Sequence, residues 1–259
     1  MIENFLKSEK MDLESLGFTE NDDLHPKFWQ NQNINSVFAS RLRLIAQNLI
    51  EDLDISKHLK DIIITGSIAS YNWHKHSDID LHIILDFEEI DKNVELVRDF
   101  FTQKRMNWNR AHNIILGGHE VEIYFQDMKE DHKTAGIYSL VHSKWLQKPA
   151  KNNKEIDICA VKCKAESISK EIDLISYLFF QKKYREAYNL AQEIKEKIKK
   201  LRKSGLDRVG IFSVENLAFK TLRNNEEISK LYTLSHQSYD LLYSQEKFED
   251  LSIKIVKNV

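Results

Sequence analysis

The chain has 259 residues, 42% of them hydrophobic and 30% charged, which is enough for one large domain or two small ones. A formal net charge of −2 gives no global steering toward nucleic acid. No apolar run approaches the ~20 residues that span a bilayer, so no membrane partner is expected.

The N-terminal MIENFLKSEK lacks the apolar core of a secretion signal, and with only Cys159 and Cys163 the default setting is a reducing cytoplasm. Two prolines and seven glycines favour long helices over an all-β design. The two cysteines can share a helical face, but two ligands do not make a zinc site.

Residues 1–23 are polar and acidic and are expected to be loosely held. Leu24-His25-Pro26-Lys27-Phe28-Trp29 differs, because its aromatic rings gain by burial, and packing is the expected role of Trp29. Ser36 to Leu53 has helical periodicity, with Val37, Leu42, Leu44, Ile45, Leu49, Ile50 and Leu53 on a broad apolar face. Arg41 and Arg43 are expected in solvent or in salt bridges at the domain edge.

The stretch Asp61–Leu85 carries the chemistry. Three isoleucines, Ile62 to Ile64, read as a buried strand that turns at Thr65-Gly66-Ser67. A helix is expected to begin over Ile68–Trp73, and free N–H groups at a helix start hold phosphate. Lys75 and His76 come just before a second strand, Ser77-Asp78-Ile79-Asp80-Leu81-His82-Ile83-Ile84-Leu85. Alternation puts Asp78 and Asp80 on one face, with Ile79 and Leu81 on the other. Paired carboxylates repel each other, and the usual reason to keep them is a divalent metal. His82 shares their face. Several histidines fall nearby, but their spacing does not suit zinc.

Asp86 to Ile90 reads as a polar exit loop. Asn93 to Asn109 reads as a helix, with Val94, Val97, Phe100, Phe101 and Met106 on its buried side. Ile114–Leu116 and Glu120–Phe125 form an expected hairpin around Gly117-Gly118. Glu120 and Glu122 share one face of its second strand.

A Gly-Ser turn, ten residues, then Asp78-Ile79-Asp80-Leu81 resembles the nucleotidyltransferase superfamily typified by DNA polymerase beta, poly(A) polymerases and antibiotic nucleotidyltransferases. Thr65 departs from the hydrophobic residue that usually precedes the glycine. The resemblance covers roughly Leu59 to Phe125. It implies an α+β fold, a nucleotidyltransferase-type mixed β-sheet flanked by helices. It also implies a third carboxylate on a neighbouring strand, for which Val121-Glu122-Ile123 is the better match and Glu120 the alternative. The implied site is Asp78, Asp80 and Glu122 around Mg²⁺, with Mn²⁺ an alternative ion and an NTP as substrate. Gly66, Ser67, Lys75 and Ser77 would meet the nucleotide. Ser139 and Lys144 beyond the third carboxylate are candidates for the triphosphate or base on the same ground.

Trp145 is expected in the core. Pro149 to Asp157 is short and polar and is the best boundary, giving a catalytic domain over 1–150 with an N-terminal extension and a helical substrate- or partner-binding domain over 151–259. The second part reads as a helical bundle: Ile158–Phe180, Tyr184–Leu201 closed by Ser204-Gly205, a helix from Ser213 to about Leu222, and Ile228–Tyr243. From Val161 to Arg208 there are 13 Lys or Arg against 7 Asp or Glu, densest over Lys195–Lys203. That run is read as a solvated helix face, with contact to RNA phosphates as the alternative.

More broadly, Tyr71-Asn72-Trp73 and Phe212-Ser213-Val214-Glu215-Asn216-Leu217 resemble nucleotidyltransferase-like proteins of tailed bacteriophages, which implies a host cytoplasm. The acceptor is left among an RNA end, a protein or small-molecule hydroxyl, and an oligonucleotide signal. A non-catalytic nucleotide-binding module is the reading from another class.

Overall fold

The computed structural model describes residues 20–75, 77–131, 134–151 and 156–244, so most of the N-terminal stretch expected to be loosely held, and His76, lie outside the described residues. The described residues fall into two compact units, 20–151 and 156–244.

The first unit opens with Leu24, Phe28 and Trp29 buried, as their apolar character predicts. Two short strands follow, β1 (Trp29–Gln30) and β2 (Asn33–Ile34), then α1 (Ser36–Asp52), capped by the Asn35 side chain. Leu42, Leu49 and Ile50 are buried, whereas Val37 and Leu44 stand in solvent, so the buried stripe is narrower than the sequence suggests. Arg43 reaches the Leu140 carbonyl and the Ser143 hydroxyl. Asn21 is not loose, because its backbone and side chain both donate to the Tyr71 carbonyl.

The sheet comprises β3 (Leu59–Thr65), β4 (Ile79–Leu85), β5 (Ile115–Leu116), β6 (His119–Asp127), β7 (Ile137–Ser139) and β8 (Lys144–Gln147). Their order is β5-β6-β4-β3-β7-β8. Only the β4–β6 pair is parallel, which makes the sheet mixed. The connection from β4 to β6 carries α2 (Phe87–Ile90) and α3 (Val94–Ala111). The expected exit loop is therefore helical: Asp86 caps α2, and Phe87 is fully buried. On α3, Val97 and Phe101 are buried, but Phe100 and Met106 are exposed.

Register decides what each face carries. Ile62 lies opposite Ile83, Ile64 opposite Leu81, and Leu81 beside Ile123, so one face is a layer of buried aliphatics that packs with α1 and α3 in a single core. The other face presents Thr65, Asp80 and Glu122 in a row, with Ile63, Ile84 and Ile137 as a small apolar cluster. The β5–β6 hairpin turns on Gly117 and Gly118, both at positive φ.

The second unit consists of α4 (Ile158–Phe180), α5 (Tyr184–Arg208), α6 (Val214–Asn224) and α7 (Glu227–Ser244). Val161, Ala165, Ile168, Ile172 and Ile175 recur at three- and four-residue spacing along α4 and are buried, as are Ala187, Ala191, Ile194 and Ile198 on α5. Ser213 caps α6 through the Asn216 N–H. Helix α5 does not stop at Ser204-Gly205 but continues to Arg208. Gly205 serves as a close-packing position there, since a Cβ would come within 2.6 Å of both Glu215 Cβ and Ser213 Oγ.

Candidate active site

Parallel pairing aligns Asp80 of β4 directly with Glu122 of β6. Adjacent strands run ~4.8 Å apart, so these two half-buried carboxylates are neighbours on the face away from the core. Glu120 lies opposite Ile115 in the hairpin instead. Asp78 is half-buried and sits one residue ahead of β4, outside its ladder.

Gly66 follows β3 at φ +74°, and a Cβ there would fall 1.8 Å from Asp80 Oδ2. Only glycine allows the backbone to approach this carboxylate so closely. Its N–H faces the Thr134 hydroxyl at 3.4 Å. Residues 66–69 form turns rather than the expected helix, so no helix N-terminus supplies the phosphate donors here. The physical reason is local. The Ser67 carbonyl accepts from both the Ser70 N–H and its hydroxyl, and the Ser70 hydroxyl also takes the Asn72 N–H, which closes the segment on itself.

Tyr124, two residues along β6, donates its hydroxyl to Glu122 Oε2. Burial first, then the Asp80 charge, then the bond to Glu122 hold this phenol far above its ordinary range, so it stays protonated and remains a donor. His82 stacks on the Tyr124 ring at 4.7 Å and bonds Gln126 through Nδ1 at 2.8 Å. The Arg105 guanidinium lies over the same ring at 4.9 Å.

The remaining candidates divide. Ser67 is half-buried beside Gly66, and Lys75 is exposed in the following loop. Ser77 is buried, and its hydroxyl accepts the His74 N–H at 2.9 Å. Ser139 is fully buried and is already engaged, donating to Asp61 at 2.8 Å and accepting the His142 N–H, which leaves no hydroxyl for a triphosphate. Lys144 is exposed on β8, three strand spacings from β4, or roughly 14 Å at ~4.8 Å per strand. Trp145 packs on Trp29 and Tyr138 as expected. Sequence reasoning missed Tyr124, Arg105 and Thr134. Only Tyr124 left a signal, since its spacing puts it on the face of Glu122.

An all-oxygen donor set suits a hard divalent cation. Among the described residues no three His, Cys, Asp or Glu side chains are gathered as a metal cage. The carboxylates of Asp80 and Glu122, side by side on adjacent strands, are of the donor type that suits such an ion. Cys159 and Cys163 are both free and exposed on α4.

A mixed sheet flanked by helices, paired carboxylates across parallel strands and a glycine pressed against one of them define a nucleotidyl-transfer fold. The family model "Nucleotidyltransferase domain" matches residues 46–232, well over half of the chain, and the chain belongs to that family. Its members transfer a nucleoside monophosphate from an NTP. No curated protein matches the chain, so the bacteriophage likeness stands on Tyr71-Asn72-Trp73 and Phe212–Leu217 alone. No helix among the described residues is long and apolar enough to cross a membrane.

Proposed function

We propose that this nucleotidyltransferase uses Asp78, Asp80 and Glu122 to bind Mg²⁺ or Mn²⁺ and transfers NMP from an NTP to a hydroxyl acceptor. The observation that carries this reading is the alignment of Asp80 with Glu122 across two parallel strands, with Gly66 against Asp80. When bound, the ion neutralises phosphate charge and stabilises the attacking and leaving oxygens.

The protein's own groups do the rest by positioning. Ser67 and the Gly66 backbone meet the phosphates, and Lys75 adds charge from the loop. The acceptor oxygen forms a bond to the α-phosphorus. The bond from that phosphorus to the bridging oxygen breaks, and pyrophosphate leaves with the electron pair. Glu122, with one oxygen held by the Tyr124 hydroxyl, receives the acceptor proton on the other.

An RNA end is the acceptor we favour. Supporting it, Lys200 and Lys203 line an open depression of about 470 Å³ on α5, together with Ser204, Asp207 and Arg208, the last paired with Glu215. Much of the remaining basic run has local partners: Lys195 bonds Ser235, Lys197 pairs with Glu171, and Lys199 lies near Glu196.

The test is transfer of labelled nucleotide to total RNA and to a protein extract, with Mg²⁺ or Mn²⁺. Ribonuclease-sensitive label that disappears in Asp80→Ala is expected. The loss should exceed the roughly 10–100-fold that follows removal of a mere outer partner of a metal ligand. Label in protein or in a small nucleotide would move the acceptor to that class. Metal-dependent turnover by folded Asp80→Ala would overturn the site.

A further inference from the structure

Asp78 lies one residue ahead of β4, and its neighbour Ser77 is tied down on both sides. The Ser77 N–H donates to the His74 carbonyl, and the His74 N–H returns to the Ser77 hydroxyl, both at 2.9 Å. The Ser77 carbonyl faces His119 Nδ1 at 2.6 Å. His119 comes from the first position of β6, the strand that carries Glu122.

A carbonyl oxygen only accepts, so His119 Nδ1 carries a proton. In the neutral ring Nε2 is then bare, and it meets His25 Nε2 at 3.1 Å. His25 must therefore donate there, which leaves its Nδ1 bare to accept the Lys27 N–H at 3.3 Å. One proton arrangement satisfies all three contacts with both rings neutral. Both rings are buried, and they pack edge to face, with Phe28 and Trp73 against His25. Burial, the facing His119 and Lys27 push the His25 pKa down to about 4, consistent with a neutral ring.

We propose that His25 and His119 are positioning residues: a directed relay, Lys27 N–H to His25 to His119 to the Ser77 carbonyl, fixes Asp78 for the divalent ion. The metal consequence rests on the reading of Asp78 as a ligand; the relay itself does not.

The imidazole ¹⁵N spectrum of the wild-type chain tests the relay without any variant. Protonated Nδ1 on His119 and protonated Nε2 on His25 are expected, and the opposite tautomer on either ring overturns it. Titration with Mn²⁺ alone, followed by the loss of its free-ion electron resonance, tests the consequence. His119→Ala should weaken binding about tenfold, and His119→Asn, which keeps a donor near the Nδ1 position, should restore it to within about threefold of wild type. A merely structural role would not separate the two variants once their thermal stabilities are matched. If Asp78→Asn weakens Mn²⁺ binding but His119→Ala does not, the positioning role falls. If Asp78→Asn binds like wild type, the metal reading of Asp78 falls, and the consequence drawn here falls with it.

Discussion

Gly66 concentrates the residue-scale argument. Its positive φ disfavours any side chain, and an added Cβ would overlap Asp80 Oδ2. Gly66→Ala should therefore cost about 1–3 kcal/mol in urea unfolding and displace the Asp80 carboxylate, and under the proposed function it should abolish metal-dependent nucleotide binding. Part of that cost is the collision and part is the backbone. The double variant Gly66→Ala/Asp80→Ala separates them, because it removes the carboxylate and keeps the strain. A favourable coupling of at least about 0.5 kcal/mol is expected, and strict additivity would mean that the two residues do not touch.

At the scale of elements, α5 runs through Gly205, where the sequence suggests that it should stop. Alanine normally improves a helix interior by about 1 kcal/mol over glycine. Here the new methyl would meet Glu215 Cβ and Ser213 Oγ at 2.6 Å, and overpacking of about 1–3 kcal/mol outweighs that gain. Gly205→Ala should thus lower the thermal midpoint of the helical unit, measured by circular dichroism at 222 nm. Glu215 adds to the constraint. Lys164 and Arg208 both pair with it, and the Lys164 bond holds its carboxyl below the usual range, so it cannot be displaced cheaply.

For the whole molecule, the buried His25 makes stability depend on pH. His25 ordinarily titrates at 6.5, but in the folded protein only at about 4. Between these values the unfolded chain binds more protons, so stability rises with pH. The contribution is complete above about 6.5 and is lost as pH falls toward 4. Urea midpoints should therefore drop between pH 7.5 and 5. His25→Gln, which keeps a donor facing His119 but cannot titrate, should flatten that drop. Glu215 acts in a different window, because a depressed carboxylate loses its contribution only at lower pH.

Much of the first unit was legible in the residues themselves. Period-two alternation put Ile79 and Leu81 in the core and Asp80 on the opposite face, and Gly117-Gly118 marked its hairpin because few other residues accept positive φ twice in succession. That Asp80 and Glu122 are aligned is set by register, a long-range property that no local pattern encodes. The failures are of the same kind. Ile68–Trp73 has helical composition, yet the Ser70 hydroxyl closes the segment into turns. Phe100 and Met106 look like core residues until packing decides how wide the buried stripe of α3 is. Ser139 and Lys144 are a separate case: they rest on resemblance alone, and the order β4-β3-β7-β8 sets Ser139 inside the fold and Lys144 three strands from β4. The sequence alone determined which residue types alternate, cap and turn, because those preferences are local. Tertiary structure alone decided which carboxylates are neighbours, that Gly66 touches Asp80, and that two histidines 94 positions apart meet behind Ser77, because pairing and burial join residues that the chain holds far apart.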